Sequence, residues 1–294
     1  MSAIQPDHNC FTSRPKRRPA LVLILACLVG AFALAYLPVW QALLHTWLSS
    51  EDYSHGIFIV PIALAILWWR RDSLAVQLVS SSWWRFPWVV LAILLYLLAN
   101  QAEIATLASY SMIFFLVASV WFLFGSNVLR QASFPLFLLL FMIPIPDQIY
   151  TTLTVPLQLF VSKVSVGLAA LIGIPIYREG NVIQLPGQSL QVVQACSGLR
   201  SIVSLLGLSL LFAYFTLKSN MLRTILFMSG APIAILVNIV RVLIMIIGFY
   251  YFHYDLSGGT LHTVFGTAVF VIALLCIATI RGVLAHWDQA AVTK

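Results

Sequence analysis

The chain has 294 residues, of which 61% are hydrophobic and only 9% are charged. Soluble domains are roughly 45–50% apolar and about 25% charged, so this composition excludes a soluble protein. The net charge of +7 would suit a nucleic-acid partner, but the basic residues recur between apolar runs, as they do in membrane proteins. We therefore expect a polytopic membrane protein that contacts the lipid bilayer and does not bind nucleic acid.

Apolar runs along the chain predict an all-α fold with about eight transmembrane helices. Five runs reach or approach the ~20 residues that cross a bilayer. Three shorter runs span only if they are tilted, partly re-entrant or extended by polar flanks. In chain order the eight runs are Ala20–Trp40, Gly56–Trp69, Phe86–Ala99, Thr106–Phe124, Ala132–Ile145, Ser197–Leu217, Thr224–Tyr251 and Leu261–Ile280. They divide the chain into a basic cytoplasmic N-terminus (1–19), an integral membrane domain (20–282) and a cytoplasmic tail (283–294).

The positions of Lys and Arg predict a cytoplasmic N-terminus. Segments 41–55 and 100–105, which this topology puts outside, contain no Lys or Arg. One segment breaks the alternation, because a full span at Thr152–Ile172 would leave residue 196 in the cytoplasm. We expect an outer interfacial or re-entrant helix there, with a full span as the alternative. The first run has signal-peptide flanks, but it is longer than a typical ~7–15-residue signal core, which favours an uncleaved anchor.

One cysteine lies where a thiol can react. Two short segments flank Pro186-Gly187, a strong turn signal, and predict a short outer β-hairpin. Residues 194–200, Gln-Ala-Cys-Ser-Gly-Leu-Arg, then open an apolar helix. A helix N-terminus favours the thiolate, and Arg200 adds positive charge on the same face. Cys196 is the only cysteine expected outside, so an unpaired reactive thiol suits it better than the usual buried small hydrophobe.

An arginine is expected at the depth of this thiol. Arg241 follows Arg223, at the inner end of its helix, by 18 residues. At 1.5 Å per residue this is ~27 Å, nearly the thickness of the hydrocarbon core. Ionisable residues inside spans are functional by default, and Asn238 on the same helical face can orient the guanidinium. The alternative is an arginine that snorkels to lipid headgroups.

A histidine begins the last apolar run. His262 follows a polar outer loop, and Gly266 lies four residues later, where it allows close packing. The alternatives are an interfacial histidine without chemistry and a competing outer histidine, for which His55, His45 and His253 are the candidates.

These residues lie in motifs that closely resemble the exosortases, which are polytopic membrane enzymes of bacteria. The resemblance runs in the right order and spacing from about residue 45 to residue 282 and is most specific around the cysteine. The motifs are Tyr53-Ser54-His55-Gly56, Met142-Ile143-Pro144-Ile145-Pro146, Glu179-Gly180-Asn181, Pro186-Gly187, Ala195-Cys196-Ser197-Gly198-Leu199-Arg200-Ser201, Asn238-Ile239-Val240-Arg241-Val242 and His262-Thr263-Val264-Phe265-Gly266.

The resemblance implies a catalytic Cys/Arg/His set, which maps to Cys196, Arg241 and His262, without a metal or an organic cofactor. It also implies a bacterial inner-membrane location with the site at the periplasmic face, and systems that accompany exopolysaccharide genes. The implied partners are proteins with a C-terminal Pro-Glu-Pro-type motif, a transmembrane helix and a basic tail (PEP-CTERM proteins). The candidate substrate-binding or supporting residues are Arg200, Asn238, His55 and Ser197.

The sequence therefore predicts a membrane cysteine endopeptidase and transpeptidase. The Cys196 thiolate attacks the scissile carbonyl, Arg241 stabilises the oxyanion, and His262 acts as acid and then base. Arg200 either lowers the pKa of the thiol or holds a substrate carboxylate. The alternative functions are a transporter with Arg241 in its substrate pathway and a thiol oxidoreductase, which the absence of a Cys-x-x-Cys motif disfavours.

Overall fold

The computed structural model describes residues 19–50, 52–75, 82–186, 188–191, 198–253 and 259–292. These ranges contain ten α-helices, two short 3-10 helices (Trp83–Arg85 and Leu139–Met142) and one small sheet. The α-helices are α1 (Pro19–Ala35), α2 (Leu37–Ser49), α3 (Gly56–Trp69), α4 (Arg71–Ala75), α5 (Phe86–Gln101), α6 (Ala105–Leu138), α7 (Asp147–Leu171), α8 (Gly198–Thr216), α9 (Asn220–Phe252) and α10 (Gly259–Val292).

The helices confirm a polytopic helical membrane protein. Within the described ranges, five helices are long and apolar enough to cross a membrane. Helix α7 is one of them, so its length and composition also fit the alternative of a full span that the sequence left open at Thr152–Ile172. A sixth span results if α1 and α2, which meet at an angle of 67°, are counted as one broken span. Two shorter apolar helices, Gly56–Trp69 and Ser201–Thr216, fall below that length. The predicted count of eight spans stays a prediction. It differs from the candidate spans of the structure because it counts both short helices as spans, divides α6 into two spans and does not count α7.

Helix α6 reverses direction at Gly125. This residue has φ 87° and ψ 178°, a backbone conformation that glycine adopts without a Cβ clash. Tyr110 and Leu140 line the same apolar cavity of about 520 Å³, although 30 residues of straight helix would separate them by ~45 Å. The two arms of α6 therefore lie side by side and antiparallel. The division of α6 into two arms at Gly125 agrees with the two apolar runs predicted on either side of this glycine, Thr106–Phe124 and Ala132–Ile145.

Arginine contacts mark one end of the bundle, which we call the basic end. The guanidiniums of Arg70 and Arg223 lie 5.0 and 5.6 Å from the centre of the Tyr214 ring, and Arg70 donates to the Gln131 carbonyl. At the same end, the buried carboxylate of Asp288 in α10 accepts from the two backbone N–H groups that precede α9. The basic end therefore joins α3, α6, α8, α9 and α10.

Two loops meet at the opposite end. The Trp47 indole donates to the Met142 carbonyl over 2.9 Å, and the Tyr53 hydroxyl donates to the Ile145 carbonyl. Burial raises the pKa of Tyr53, which keeps this hydroxyl protonated as a donor. A Cβ built on Gly56 would collide with the Trp47 ring. Glycine is therefore required where this loop enters α3.

Helix α7 and the sheet pack against the part of α9 that is farthest from the basic end. Val161 and Ala169 of α7 share a buried cluster with Ile183 of the sheet and Ile246 of α9. The Ser165 hydroxyl also donates to the carbonyl of Ile239, two residues before Arg241 in α9. Ile239 and Ile246 both lie in the half of α9 that is farther from the basic end, so these contacts place α7 against that half.

The predicted hairpin is present as part of a three-stranded antiparallel sheet. The strands are β1 (Tyr177–Glu179), β2 (Val182–Leu185) and β3 (Gln188–Gln191), in the order β1-β2-β3. Strands β2 and β3 form the predicted pair, and β1 was not predicted. The sheet ends seven residues before α8 begins.

Candidate active site

Arg241 lies against α10 at a glycine. A Cβ built on Gly266 would be 3.3 Å from Nη2 of Arg241 and 3.6 Å from its Cζ. A Cβ at this distance would force the guanidinium to shift by a few tenths of an ångström, so glycine allows the closer approach to the helix backbone. The guanidinium of the half-buried Arg241 therefore packs directly against α10 at Gly266, a contact that we call the seat of Arg241. The close packing predicted at Gly266 is thus a contact with the arginine itself.

This contact fixes the position of the His262 backbone relative to the arginine. His262 lies in the first turn of α10 and precedes Gly266 by four residues, so the two positions share one helical face. The side chain of His262 lies outside what the structure describes. The described backbone brings the histidine position within about one helical turn of the seat of Arg241.

Helix α8 closes the third side of a cavity around the arginine. The cavity has a volume of about 20 Å³, enough for about one water molecule. Ser201 of α8, Asn238 and Arg241 of α9 and Gly266 of α10 line it, together with apolar side chains. A guanidinium, an amide and a hydroxyl thus surround a space of the size that a carbonyl oxygen or a water molecule occupies.

Asn238 directs polar atoms into a site that is otherwise closed. The residue is only 6% exposed and lines the cavity beside Arg241. A buried amide needs hydrogen-bond partners, and a ligand group in the cavity could supply one. Sequence reasoning gave Asn238 the task of orienting Arg241, and the structure puts it in the cavity wall.

The segment that contains the predicted nucleophile lies outside the described residues. Cys196 and Ser197 fall in the gap at 192–197, and the side chain of Arg200 is not described although its backbone belongs to α8. Helix α8 begins at Gly198, two residues after the cysteine, and its first turn reaches the cavity at Ser201. Cys196 is therefore connected to the cavity wall by a short stretch of chain.

His55 belongs to a different set of contacts. Its Nε2 lies 3.2 Å from the carbonyl oxygen of Phe141, in the 3-10 helix that follows the second arm of α6. Phe141 directly precedes the motif that begins at Met142. The residues that line the cavity come from α8, α9 and α10 and do not include His55.

Sequence reasoning assigned no role to Ser201 or Ser165. Ser201 lines the cavity, and Ser165 bonds to the α9 backbone close to Arg241. A signal for the second was present, because the buried polar residues of α7 recur at helical spacing along one face. They are Thr154, Gln158, Ser162 and Ser165.

Comparison with known protein families matches residues 47–279, which is most of the chain, to the transmembrane exosortases. A search of curated proteins and a search of solved structures each found no match. The matched range contains the cavity-lining parts of α8, α9 and α10 as well as the sheet. The chain therefore belongs to the transmembrane exosortase family.

Proposed function

We propose that the protein is a membrane cysteine endopeptidase and transpeptidase that cleaves the C-terminal sorting signal of exported proteins. The proposed substrates are of the PEP-CTERM type, in systems linked to exopolysaccharide, and the proposed location is the periplasmic face of a bacterial inner membrane. One observation carries the proposal: the Arg241 guanidinium, seated on Gly266, faces the cavity that the first turn of α8 also lines.

The described backbone supports bringing three reactive groups together at this cavity. Cys196 lies two residues before α8, Arg241 lies in α9, and His262 lies one turn before Gly266 in α10. Consecutive helices that pack as neighbours hold such groups on rigid elements. Proximity of this kind is what a nucleophile, an oxyanion donor and a general acid require.

The reaction has two steps that use the same residues. The Cys196 thiolate adds to the scissile carbonyl carbon, and Arg241 donates hydrogen bonds to the resulting oxyanion. Collapse of this intermediate breaks the C–N bond, and the imidazolium of His262 gives its proton to the leaving amine. His262 then takes a proton from the acceptor, an amine or water, whose attack on the thioester breaks the C–S bond and returns the thiolate.

Packing of the bundle supports an outer location for the cavity. Arg70 and Arg223 lie at the basic end, and clusters of basic residues favour the cytoplasmic side. Arg241 lies 18 residues, or ~27 Å of helix, from Arg223. The contacts of α7 with the far part of α9 agree with an outer, interfacial α7.

The test is cleavage of a co-expressed substrate that carries a Pro-Glu-Pro-type signal. We expect Cys196→Ala and Cys196→Ser to abolish cleavage, since neither alanine nor an alcohol replaces the thiolate, while Cys27→Ala, an exposed position in α1, cleaves normally. Mass spectrometry of the new C-terminus identifies the bond and the acceptor. Full cleavage by Cys196→Ala would refute the enzymatic role and favour the transporter alternative.

A further inference from the structure

The two outer edges of the sheet differ. Strand β2 is central, so β1 and β3 each have one outer edge. Strand β1 packs against α7 and carries Arg178 and Glu179, and charged residues are a common protection of sheet edges. Strand β3, Gln-Ser-Leu-Gln, contains neither a charge nor a proline, and no segment among the described residues pairs with its outer edge. Among the described residues, strand β3 therefore has an unpaired outer edge.

The register of the sheet identifies the backbone groups at this edge. Leu185 pairs with Gln188 across a two-residue turn, so this closing pair exchanges hydrogen bonds. Bonded and non-bonded pairs alternate in an antiparallel ladder. Ser189 and Gln191 belong to the non-bonded pairs, so the N–H and C=O groups of both residues point away from β2. Four backbone groups are thus available to a further strand.

The edge strand is close in sequence to the proposed nucleophile. Gln191 is the last residue of β3, and Cys196 follows five residues later. Five residues of chain reach at most ~17 Å, so this is the greatest distance that can separate the end of β3 from the thiol-bearing residue.

We propose that β3 binds the extended substrate peptide next to the scissile bond as an added fourth strand. In this mode, backbone hydrogen bonds supply affinity and alternate side chains supply specificity. The inference rests on the proposed function, because it takes Cys196 as the nucleophile. The proposed occupant of the β3 edge is an extended peptide, and its proposed contacts are the backbone N–H and C=O groups of Ser189 and Gln191.

An added strand on β3 tolerates proline only at alternate positions. A proline has no N–H, so it fits an added strand only where its nitrogen faces away from β3. Nitrogens two residues apart face the same side of a strand, since the ladder alternates. Prolines at every second position therefore fit together, while the residue between them exchanges both bonds with β3. A Pro-x-Pro segment meets this requirement, and prolines at adjacent positions do not.

The test compares the same substitution at the two edges. Arg178 occupies the position in β1 that is equivalent to Ser189 in β3, because both belong to non-bonded pairs with β2. Neither Ser189→Pro nor Arg178→Pro removes a hydrogen bond of the sheet. We expect Ser189→Pro to raise KM by about fivefold or more, the effect of one lost hydrogen bond, and Arg178→Pro to leave KM unchanged. Equal KM values for the two variants would overturn the proposal.

A cross-linking measurement covers the case in which Ser189→Pro fails to fold. Ser189→Cys is placed in a chain whose four native cysteines are replaced by alanine. Single cysteines are then introduced at a run of consecutive positions of the substrate before the scissile bond. Disulfide yields should alternate with a period of two, as in paired strands, and uniform or absent yields would contradict strand addition. Cleavage by Cys196→Ala would instead refute the proposed function, and the cross-linking pattern would still decide whether β3 binds peptide.

Discussion

Alanine at Gly266 tests the seat of Arg241 without changing either the arginine or the nucleophile. The new Cβ would lie 3.3 Å from Nη2 of Arg241, closer than ordinary van der Waals contact, so the guanidinium has to move by a few tenths of an ångström. A misplacement of about 1 Å in a catalytic group costs roughly 100-fold in rate. If the logarithm of the rate loss scales with the displacement, a shift of a few tenths of an ångström in Gly266→Ala should lower kcat/KM by about 3- to 10-fold.

Helix α10 supplies the matched control. Gly282 lies in the same helix, and a Cβ built there meets nothing within 4 Å. Both substitutions replace glycine by alanine inside a helix, which favours the helix by about 0.8–1 kcal/mol. Gly282→Ala should therefore cleave substrate at the normal rate, so a loss confined to Gly266→Ala arises from the arginine contact.

The measurement is kcat/KM for a purified substrate in vesicles, together with the thermal unfolding temperature of each variant. Gly266→Val extends the series, because its branched side chain should displace the guanidinium by about 1 Å and lower kcat/KM by about 100-fold or more. If Gly266→Ala and Gly266→Val both matched Gly282→Ala, the seat of Arg241 on α10 would have no catalytic importance.

Four further substitutions test the other assignments. Arg241→Lys keeps the charge but loses the planar fork, so turnover should fall by about 100-fold or more, and near-normal turnover would favour a snorkelling arginine. His262→Ala should be inactive, whereas His55→Ala should retain cleavage with a stability loss of about 1 kcal/mol from its bond to the Phe141 carbonyl; the opposite result would exchange their roles. In a background without Cys196, Lys163→Cys should react with an impermeant maleimide added outside, and reaction only after permeabilisation would put α7 across the membrane.

Local signals and fixed helix geometry account for what the sequence predicted. Pro186-Gly187 predicts the β2–β3 turn because turn preference depends on neighbouring residues. The depth of Arg241 follows from the constant rise of a helix. The bend between α1 and α2 was missed, although Pro38 in the first turn of α2 is a recognised start signal for a new helix. A long apolar run masked that signal.

Contacts between distant segments account for what the sequence could not predict. The seat of Arg241 on Gly266 depends on how α9 and α10 rotate against each other, and the amphipathic pattern of two nearly all-apolar helices does not set that rotation. The bond between Ser165 and the Ile239 carbonyl joins residues 74 positions apart. Neither contact has a signature within a window of neighbouring residues, whereas both decide where the arginine sits.

The three helices around the cavity are consecutive in the chain, and this sets the order in which the site is assembled during synthesis. Residue 196 is synthesised 70 residues before Gly266, which at roughly 5–20 residues per second is a delay of about 4–14 s. During that interval Arg241 lacks its contact with Gly266. On the proposed mechanism, the Cys196 thiol therefore gains its oxyanion donor only when α10 docks on α9.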